Sequence, residues 1–378
     1  MKKLGLYLHF PFCVRKCNYC DFLSFEISDE DVYRDYAEAV ALELGRWKDK
    51  LGGYEVDTIF LGGGTPSLMS SQVLDRIIEA LYGLKLSKKL EFTIEANPKT
   101  LDMDKLSYYS ASGINRLSLG VQSLDDGVLG FLGRIHNRND FLKNYGEARK
   151  AGFDNINVDL MFAIPNQNID QWMDTVKQAT DLQPEHISFY SLIIEENTPL
   201  FNRKALGEIK ELDEDMDRKM YWGAVDLLCS RGYEHYEISN MAKDLYMCHH
   251  NMKYWSMDEY IGIGAGAHSY FQGRRFSNET DLNKYIKNAN NNLDNKVWEH
   301  QNTRNDEISE YIFTGLRKIQ GINLDDFTKR FNLNIYDCYK EQIHQFVLGK
   351  WMVKKNNQLM LSNKGLDISN RIMSEFIL

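Results

Sequence analysis

The chain has 378 residues, which suggests roughly two to three domains and allows a sizeable hydrophobic core. Its formal net charge is −9, so the composition gives no general attraction to nucleic acid or to acidic membranes. Hydrophobic residues make up 43% and charged residues 26%, which excludes disorder, collagen-like repeats and a coiled coil as the main architecture. Six cysteines are too few for a disulfide scaffold.

The N-terminus imitates an export signal, because two lysines precede a short apolar run. His9 and Pro11 interrupt that run, and no small-residue cleavage site follows. No stretch approaches the ~20 apolar residues of a membrane span. The sequence therefore predicts a soluble, cytoplasmic protein, in which cysteines are metal ligands or catalysts more often than bridges.

Short apolar runs alternate with amphipathic helical stretches before residue 232. Most runs are apolar on both faces, which is typical of buried parallel strands. The predicted strands are 4–10, 57–61, 90–95, 116–121, 155–162 and 186–193. Six strand–helix units favour an incomplete (β/α)6 barrel over a closed (β/α)8 barrel. A doubly wound open sheet has the same pattern and stays an alternative.

The clearest helix is predicted to start at Ser28, with Asp31 completing a capping-box pattern. Its apolar residues recur every three or four positions: Val32, Tyr36, Val40, Leu44, Trp47 and Leu51. Further helices are predicted near 70–83, 102–112, 139–151, 169–182 and 213–231.

After residue 232 the strand–helix rhythm fails. Residues 232–287 look irregular, and the Asn-rich stretch that follows is interpreted as a surface linker. Helices near 305–319, 324–331 and 336–349, short strands at 351–354 and 358–361, and a last helix at 364–376 are predicted for the tail.

This order of elements indicates a small winged-helix-like module at the C-terminus. The predicted domains are 1–231, 232–300 and 301–378. The last of these carries 11 Lys and Arg against 9 Asp and Glu, a net charge of +2. That charge is too weak to argue for DNA binding, so no nucleic-acid partner is expected.

Three cysteines follow the first predicted strand with the spacing C-x3-C-x2-C: Cys13, Cys17 and Cys20. Three ligands are one short of the four that a structural zinc ion or a complete iron–sulfur cluster prefers. A four-iron cluster held by three cysteines leaves one iron open to a substrate or cofactor. A zinc site that borrows His9 is the alternative.

This spacing, with Tyr19 before the last cysteine, resembles the signature of the radical S-adenosylmethionine superfamily. Further motifs resemble one group within it, the oxygen-independent coproporphyrinogen dehydrogenases and the HemW-type haem chaperones. The matching segments are 7–12 (Tyr-Leu-His-Phe-Pro-Phe), 62–67 (Gly-Gly-Gly-Thr-Pro-Ser), 94–98 (Ile-Glu-Ala-Asn-Pro), 120–123 (Gly-Val-Gln-Ser) and 157–160 (Asn-Val-Asp-Leu). The resemblance covers nearly the whole chain, including the tail.

The resemblance implies a [4Fe-4S] cluster on the three cysteines and S-adenosylmethionine bound across the strand ends. Taken alone, the triple glycine reads as a plain turn, and each strand-end polar residue as a solvated or capped one. The expected cofactor contacts are Tyr7, Gly63, Gly64, Thr65, Glu95, Gln122, Arg134 and Asp159. Arg134 matches the arginine that meets the methionine carboxylate in the family, and an arginine fork suits that group.

Three features favour the chaperones over the dehydrogenases. The dehydrogenases carry a fourth cysteine two residues after the third, and Phe22 stands at that position here. They also carry a long N-terminal extension over the substrate, whereas this sequence reaches Cys13 after twelve residues, so no such lid is expected. Residues 250–255 match the H-N-x-x-Y-W pattern of the chaperones.

The expected function is therefore binding of haem and its transfer to a recipient haem protein, at the inner face of the membrane if that recipient is membrane-associated. His250 is a candidate axial ligand, since imidazole suits iron, with Tyr254 and Trp255 offering a flat surface. Structural roles for these side chains are the alternative, and Cys248, His249 and His268 are competing ligands. The alternative function is radical decarboxylation of coproporphyrinogen III to protoporphyrinogen IX.

Overall fold

The computed structural model describes residues 1–378. The strands are β1 (Lys2–Phe10), β2 (Phe12–Cys13), β3 (Phe25–Glu26), β4 (Tyr54–Gly63), β5 (Leu86–Ala96), β6 (Arg116–Gln122), β7 (Ile156–Phe162), β8 (His186–Ser191), β9 (Glu234–Glu237), β10 (Asn240–Ala242), β11 (Tyr260–Ile263), β12 (His268–Phe271), β13 (Arg274–Asn278), β14 (Lys296–Gln301), β15 (Ile322–Asn323), β16 (Met352–Lys355) and β17 (Gln358–Leu361).

The helices lie between these strands and in the tail. They are α1 (Glu30–Lys48), α2 (Ser71–Tyr82), α3 (Met103–Ala111), α4 (Asp126–Leu132), α5 (Arg138–Lys150), α6 (Ile169–Asp181), α7 (Pro199–Ala205), α8 (Glu214–Ser230), α9 (His249–Trp255), α10 (Leu282–Asn290), α11 (Arg304–Gly315), α12 (Leu324–Phe331), α13 (Ile335–Leu348), α14 (Asn363–Asp367) and α15 (Ser369–Ser374). None of them combines the length and apolarity that a membrane span requires.

Six parallel strands form the centre of the molecule in the order β1-β4-β5-β6-β7-β8. This order follows the chain without the reversal of a doubly wound sheet, so the open-sheet alternative is wrong. The sheet continues to β14 on one side and β9 on the other and does not close. The predicted incomplete barrel with six strand–helix units is confirmed.

Burial explains why these segments become strands. In β1 the side chains of Leu4, Leu6, Leu8 and Phe10 are buried on one face. Gly5 and His9, on the other face, are buried too, as expected of a strand covered on both faces. Helix α1 adds its apolar stripe to the same core. The predicted start of that helix at Ser28 was two residues early, since Asp29 is the N-cap and accepts from the Asp31 amide at 3.0 Å.

The Asn-rich stretch does form an exposed turn at 291–294, between α10 and β14. The prediction that residues 232–287 are irregular was wrong, because residues 234–301 are mostly regular. These residues form six short strands and two helices, and β11–β14 extend the sheet beyond β1. Strands of three to six residues are too short to show a clear periodicity, so sequence patterns miss them. Asn295, within the supposed linker, is buried and donates to the Tyr285 carbonyl at 3.2 Å.

The tail has its own hydrophobic core, built from residues between Ile308 and Phe376. Its helices surround a three-stranded sheet in the order β15-β17-β16, which agrees with the expected winged-helix-like arrangement. Contacts such as the 2.8 Å hydrogen bond from Trp222 Nε1 to Asp367 Oδ1 tie it to the barrel. The domain boundaries at 231 and 300 stay predictions.

Candidate functional site

A cavity of about 350 Å³, here called the cluster cavity, opens at the carboxyl ends of the barrel strands. It brings together most of the predicted site residues: Cys13, Cys17, Cys20, Gly63, Gly64, Glu95, Gln122, Arg134 and Asp159. Cys13 ends the short strand β2, and Cys17 and Cys20 follow it in a loop. The other residues lie on β4–β7 or in the segments that follow these strands. Residues more than a hundred positions apart thus converge on one site, as sites in parallel α/β barrels do.

The cysteine arrangement suits a cluster better than a single ion. No three His, Cys, Asp or Glu side chains are placed to hold one metal ion together. In a cubane each thiolate binds a different iron, so the sulfurs need not meet at one point. Both ring nitrogens of His9 are engaged, with Tyr7 Oη and the Leu23 carbonyl at 2.9 Å each, which argues against the zinc alternative.

The surroundings of the thiols also fit an iron–sulfur cluster. Burial raises the pKa of Cys13 and raises that of Cys20 to about 11, so the thiolates need a cation to offset their desolvation. Coordinated iron supplies that charge and deprotonates the thiol. Thr65 Oγ1 donates to Cys13 Sγ at 3.6 Å and Arg134 Nη1 to Cys17 Sγ at 3.3 Å.

The glycines at the end of β4 let the chain pass against the cysteine loop. A Cβ on Gly64 would lie 2.5 Å from the Phe12 carbonyl oxygen, and Gly63 has φ = +110°. The Gly64 amide donates to the Phe10 carbonyl at 2.8 Å, and the Thr65 amide to that of Phe12 at 2.7 Å. Because these glycines have no side chains, the two backbone segments can hydrogen-bond directly and hold the start of the cysteine loop in place. The same glycines line the cavity.

Arg134 is held at the wall of the cavity by three different elements. Besides Cys17, its guanidinium donates to Asn97 Oδ1 and to the Gly120 carbonyl. Its Nε is buried and has no hydrogen-bond partner. The guanidinium is therefore a fixed positive charge at the cavity wall, which suits an anionic ligand.

Two carboxyl groups lie close together at the base of the cavity. Glu95 accepts from the Gly63 amide at 3.0 Å, and Asp159 accepts from Asn157 Nδ2 at 2.8 Å. Burial, and then the charge of Asp159, raises the pKa of Glu95 to about 8. Burial also raises the pKa of Asp159. An empty cavity therefore holds Glu95 largely protonated at neutral pH, while a cationic ligand favours the carboxylate.

Glu95 should make the stability of the protein depend on pH. A folded-state pKa of about 8, above the ordinary value of 4.5, means that the folded chain binds the extra proton between these pH values. The contribution of the protonated Glu95 to the free energy of unfolding is fully present below pH 4.5 and is lost as the pH rises toward 8. The free energy of unfolding should fall by up to about 1.4 kcal/mol per pH unit in this range. In urea unfolding of the cofactor-free protein, Glu95→Gln should flatten this slope. An unchanged slope in the variant would contradict the assignment.

Several lining residues escaped the sequence prediction. Tyr190, at the end of β8, donates to Gln122 Oε1 at 3.0 Å, and Ser118 Oγ donates to Asp159 Oδ2 at 3.2 Å. Asn97 donates to Thr65 Oγ1 at 2.8 Å, and so connects Thr65 with Arg134. The position of Tyr190 near the end of a predicted strand, as for Gln122, could have identified it as a lining residue from the sequence.

Tyr7 and Thr65 are the expected cofactor contacts that do not line the cluster cavity. Tyr7 instead lines a polar space of about 200 Å³ deeper in the barrel, here called the inner cavity. Glu95, Ser118 and Asp159 form a wall common to both cavities. Tyr7 is therefore separated from the cluster cavity by this shared wall and does not line that cavity.

The expected exposed surface of His250, Tyr254 and Trp255 is not present. His250 is 1% exposed, and its ring nitrogens contact Thr58 Oγ1 at 2.9 Å and Tyr254 Oη at 2.8 Å. Trp255 is partly buried under the Arg317 guanidinium, 4.4 Å from its ring centroid. Helix α9 carries all three inward, so His250 could reach haem iron only by giving up one of its two hydrogen bonds.

Glu91 explains why α9 sits inside the barrel. Its carboxylate, on β5, accepts from the backbone amides of His249 and His250 at 2.9 and 2.8 Å. A carboxylate at a helix N-terminus is stabilised by the unpaired amides and by the helix dipole. Lys253 in the same helix pairs with Asp57 Oδ1 on β4 at 2.8 Å.

The fold and the cysteine site together define a radical S-adenosylmethionine protein. The family described as Radical SAM superfamily matches residues 7–179, and the HemN C-terminal domain matches residues 302–368. The solved structure of coproporphyrinogen III oxidase (HemN) from Escherichia coli has the same fold. Its TM-score is 0.87 at 20% identity, over 100% of this chain and 90% of that one.

Relatives that match nearly the whole chain show which family within this superfamily it belongs to. A protein named heme chaperone HemW from Lactococcus lactis is 33% identical, over 100% of this chain and 98% of its own. One of the same name from Bacillus subtilis is 33% identical over 98% of each chain. Another from Escherichia coli is 39% identical over 70% of this chain and 69% of its own. The chain belongs to the HemW family.

Proposed function

We propose that this protein is a haem chaperone, which binds haem and passes it to a recipient protein. The observation that carries the proposal is the end-to-end similarity to proteins named heme chaperone HemW. The protein would carry a [4Fe-4S] cluster on Cys13, Cys17 and Cys20, with S-adenosylmethionine in the cluster cavity. When bound, these cofactors supply one-electron reduction of the sulfonium and a carbon-centred radical.

The residues of the cavity would bind and orient S-adenosylmethionine. Gly63 and Gly64 line the cavity beside the cysteine loop and would present their backbone to the amino acid part. Arg134 supplies a fixed cation for the carboxylate, and Glu95 an acceptor for the amino group. Gln122 and Asp159, on the next strands, face the same space and can accept from ribose hydroxyls. Burial of these groups strengthens each interaction because water competes less.

Arg134→Ala should weaken the binding of S-adenosylmethionine. Loss of a charge-assisted hydrogen bond costs about 1.5–3 kcal/mol, or roughly a 10- to 150-fold rise in Kd. Equilibrium binding to anaerobically reconstituted protein measures this. Arg138→Ala is the control, because Arg138 binds Gln178 on α6 and does not line the cavity. Equal affinity in the Arg134 and Arg138 variants would show that the carboxylate binds elsewhere.

Phe22 bears on the alternative, a coproporphyrinogen III dehydrogenase. Its side chain is 63% exposed and lines the cluster cavity where the dehydrogenases place a fourth cysteine. The phenyl ring of Phe22 cannot replace the thiol of that fourth cysteine, and this supports the chaperone function over the dehydrogenase. The likeness to the HemN structure, at 20% identity, concerns the fold alone.

A paired assay on the reconstituted protein tests the function. One arm titrates the protein with haem, and the other supplies coproporphyrinogen III, a reductant and S-adenosylmethionine under anaerobic conditions. The chaperone predicts haem bound in a stoichiometric complex that survives gel filtration, with no protoporphyrinogen formed. Sustained conversion of coproporphyrinogen, with no haem retained, would establish the dehydrogenase instead.

The recipient would be a haem protein, at the inner face of the membrane where it is a respiratory one. Transfer can be followed by mixing the haem-loaded protein with membrane vesicles that contain apo-forms of respiratory haem proteins. Movement of the haem absorption to the vesicle fraction is the expected result. Haem that stays with this chain, or that also moves to protein-free vesicles of the same lipids, would argue against directed transfer.

A further inference from the structure

A third opening, here called the side groove, lies beside the cluster cavity and has a volume of about 470 Å³. Phe22, Gly63 and Glu95 line both spaces, so the two are separated only by a shared wall. Half of the residues that line the groove are hydrophobic. Its volume is within the range of about 300–1,000 Å³ that organic ligands and cofactors occupy.

The walls of the groove offer aromatic and aliphatic surface to a flat ligand. Tyr254 and Tyr260 pack edge to face, with ring centroids 4.6 Å apart. Leu23 and Ala267 contribute aliphatic surface to the lining, and Phe22 adds an exposed ring at the side toward the cysteine loop. Such a lining would bury the faces of a macrocycle and leave its polar edge in water.

One imidazole in the groove is free to bind a metal. His268, the first residue of β12, is exposed, and neither of its ring nitrogens makes a hydrogen bond. The other histidine of the groove, His9, has both nitrogens engaged. His250, the sequence candidate, is likewise engaged at both nitrogens and lines the inner cavity.

We propose that haem binds in the side groove with the imidazole of His268 as an axial ligand to its iron. The proposal rests on the chaperone function and assigns the site where that function is carried out. Imidazole is a common ligand of haem iron.

This location would place the cargo next to the cofactor. Haem in the groove and S-adenosylmethionine in the cluster cavity would share Gly63 and Glu95 as neighbours. Binding of one could then change the affinity for the other through direct contact with these residues.

Haem titration of full-length reconstituted protein tests the site, with the Soret band as the readout. His268→Ala should raise the Kd for haem about tenfold or more and shift the Soret band, and added imidazole should restore the band position. His249→Ala is the matched control, because His249 is also exposed but lies outside the groove. Cluster absorption that is the same in all variants would show that the fold is intact.

The outcomes separate this inference from the proposed function. Stoichiometric haem binding by the wild type with an unchanged Kd and Soret band in His268→Ala would overturn the site and leave the chaperone standing. An equal loss in His249→Ala would also overturn it. Absence of haem binding by the wild type would contradict both the haem site and the chaperone function.

Discussion

Replacement of Cys17 by alanine should remove most of the iron from the reconstituted protein. Cys17 lines the cluster cavity with Cys13 and Cys20, and a cluster with two thiolate ligands lacks the coordination that holds it. Iron content and the broad visible absorption of the cluster should both fall to a small fraction of the wild-type value. The same result is expected for the other two cysteines of the motif.

A cysteine outside the motif provides the control. Cys229 is exposed on α8, so Cys229→Ala should keep the full iron content and spectrum. Full iron retention in Cys17→Ala would contradict the cluster assignment. Loss of iron in both variants would point to damage during reconstitution, which far-ultraviolet circular dichroism of each protein would reveal.

Replacement of Glu43 by alanine should lower the stability of the protein strongly. Glu43 is a buried carboxyl group on α1. It accepts from the Gly264 amide at 3.0 Å, Asn278 Nδ2 at 2.7 Å and Tyr285 Oη at 2.5 Å. Alanine would leave three buried donors without an acceptor, at a cost of about 3–5 kcal/mol in the free energy of unfolding.

Glu38 is a matched control, because it is a glutamate on the same helix. Its carboxylate is half-exposed and pairs with Arg76 on the surface, where such pairs contribute little. Glu38→Ala should therefore cost less than about 1 kcal/mol in urea unfolding. A loss of similar size in the two variants would show that the network around Glu43 does not hold α1 to the segment between β11 and α10.

The two kinds of site prediction from the sequence had different outcomes. The cysteines and strand-end residues such as Glu95 and Gln122 did converge on one cavity, because parallel strands bring their carboxyl ends to the same edge. The H-N-x-x-Y-W segment, interpreted as a surface, buries His250 and leaves Tyr254 and Trp255 only partly exposed. His250 contacts Thr58, 192 positions away in the chain, and no local pattern encodes such a partner.

Glu43 and His268 also show that the sequence does not reveal which polar side chains are buried and which are free. A glutamate in an amphipathic helix is expected at the surface, and only its three partners from distant segments make its burial possible. His268 was one of several competing imidazoles in the sequence. The groove around it is what distinguishes it from His249 and His250.

The sequence by itself determined the six parallel strands, the incomplete barrel and the cysteine motif. These follow from features within a few tens of residues: apolar runs, helical periodicity and the spacing of three thiols. Tertiary structure decided which polar residues face one another, how the strands after β8 extend the sheet, and which histidine is free. The physical reason is that hydrogen bonding and burial of a side chain depend on segments far apart in the chain, which meet only once the barrel has formed.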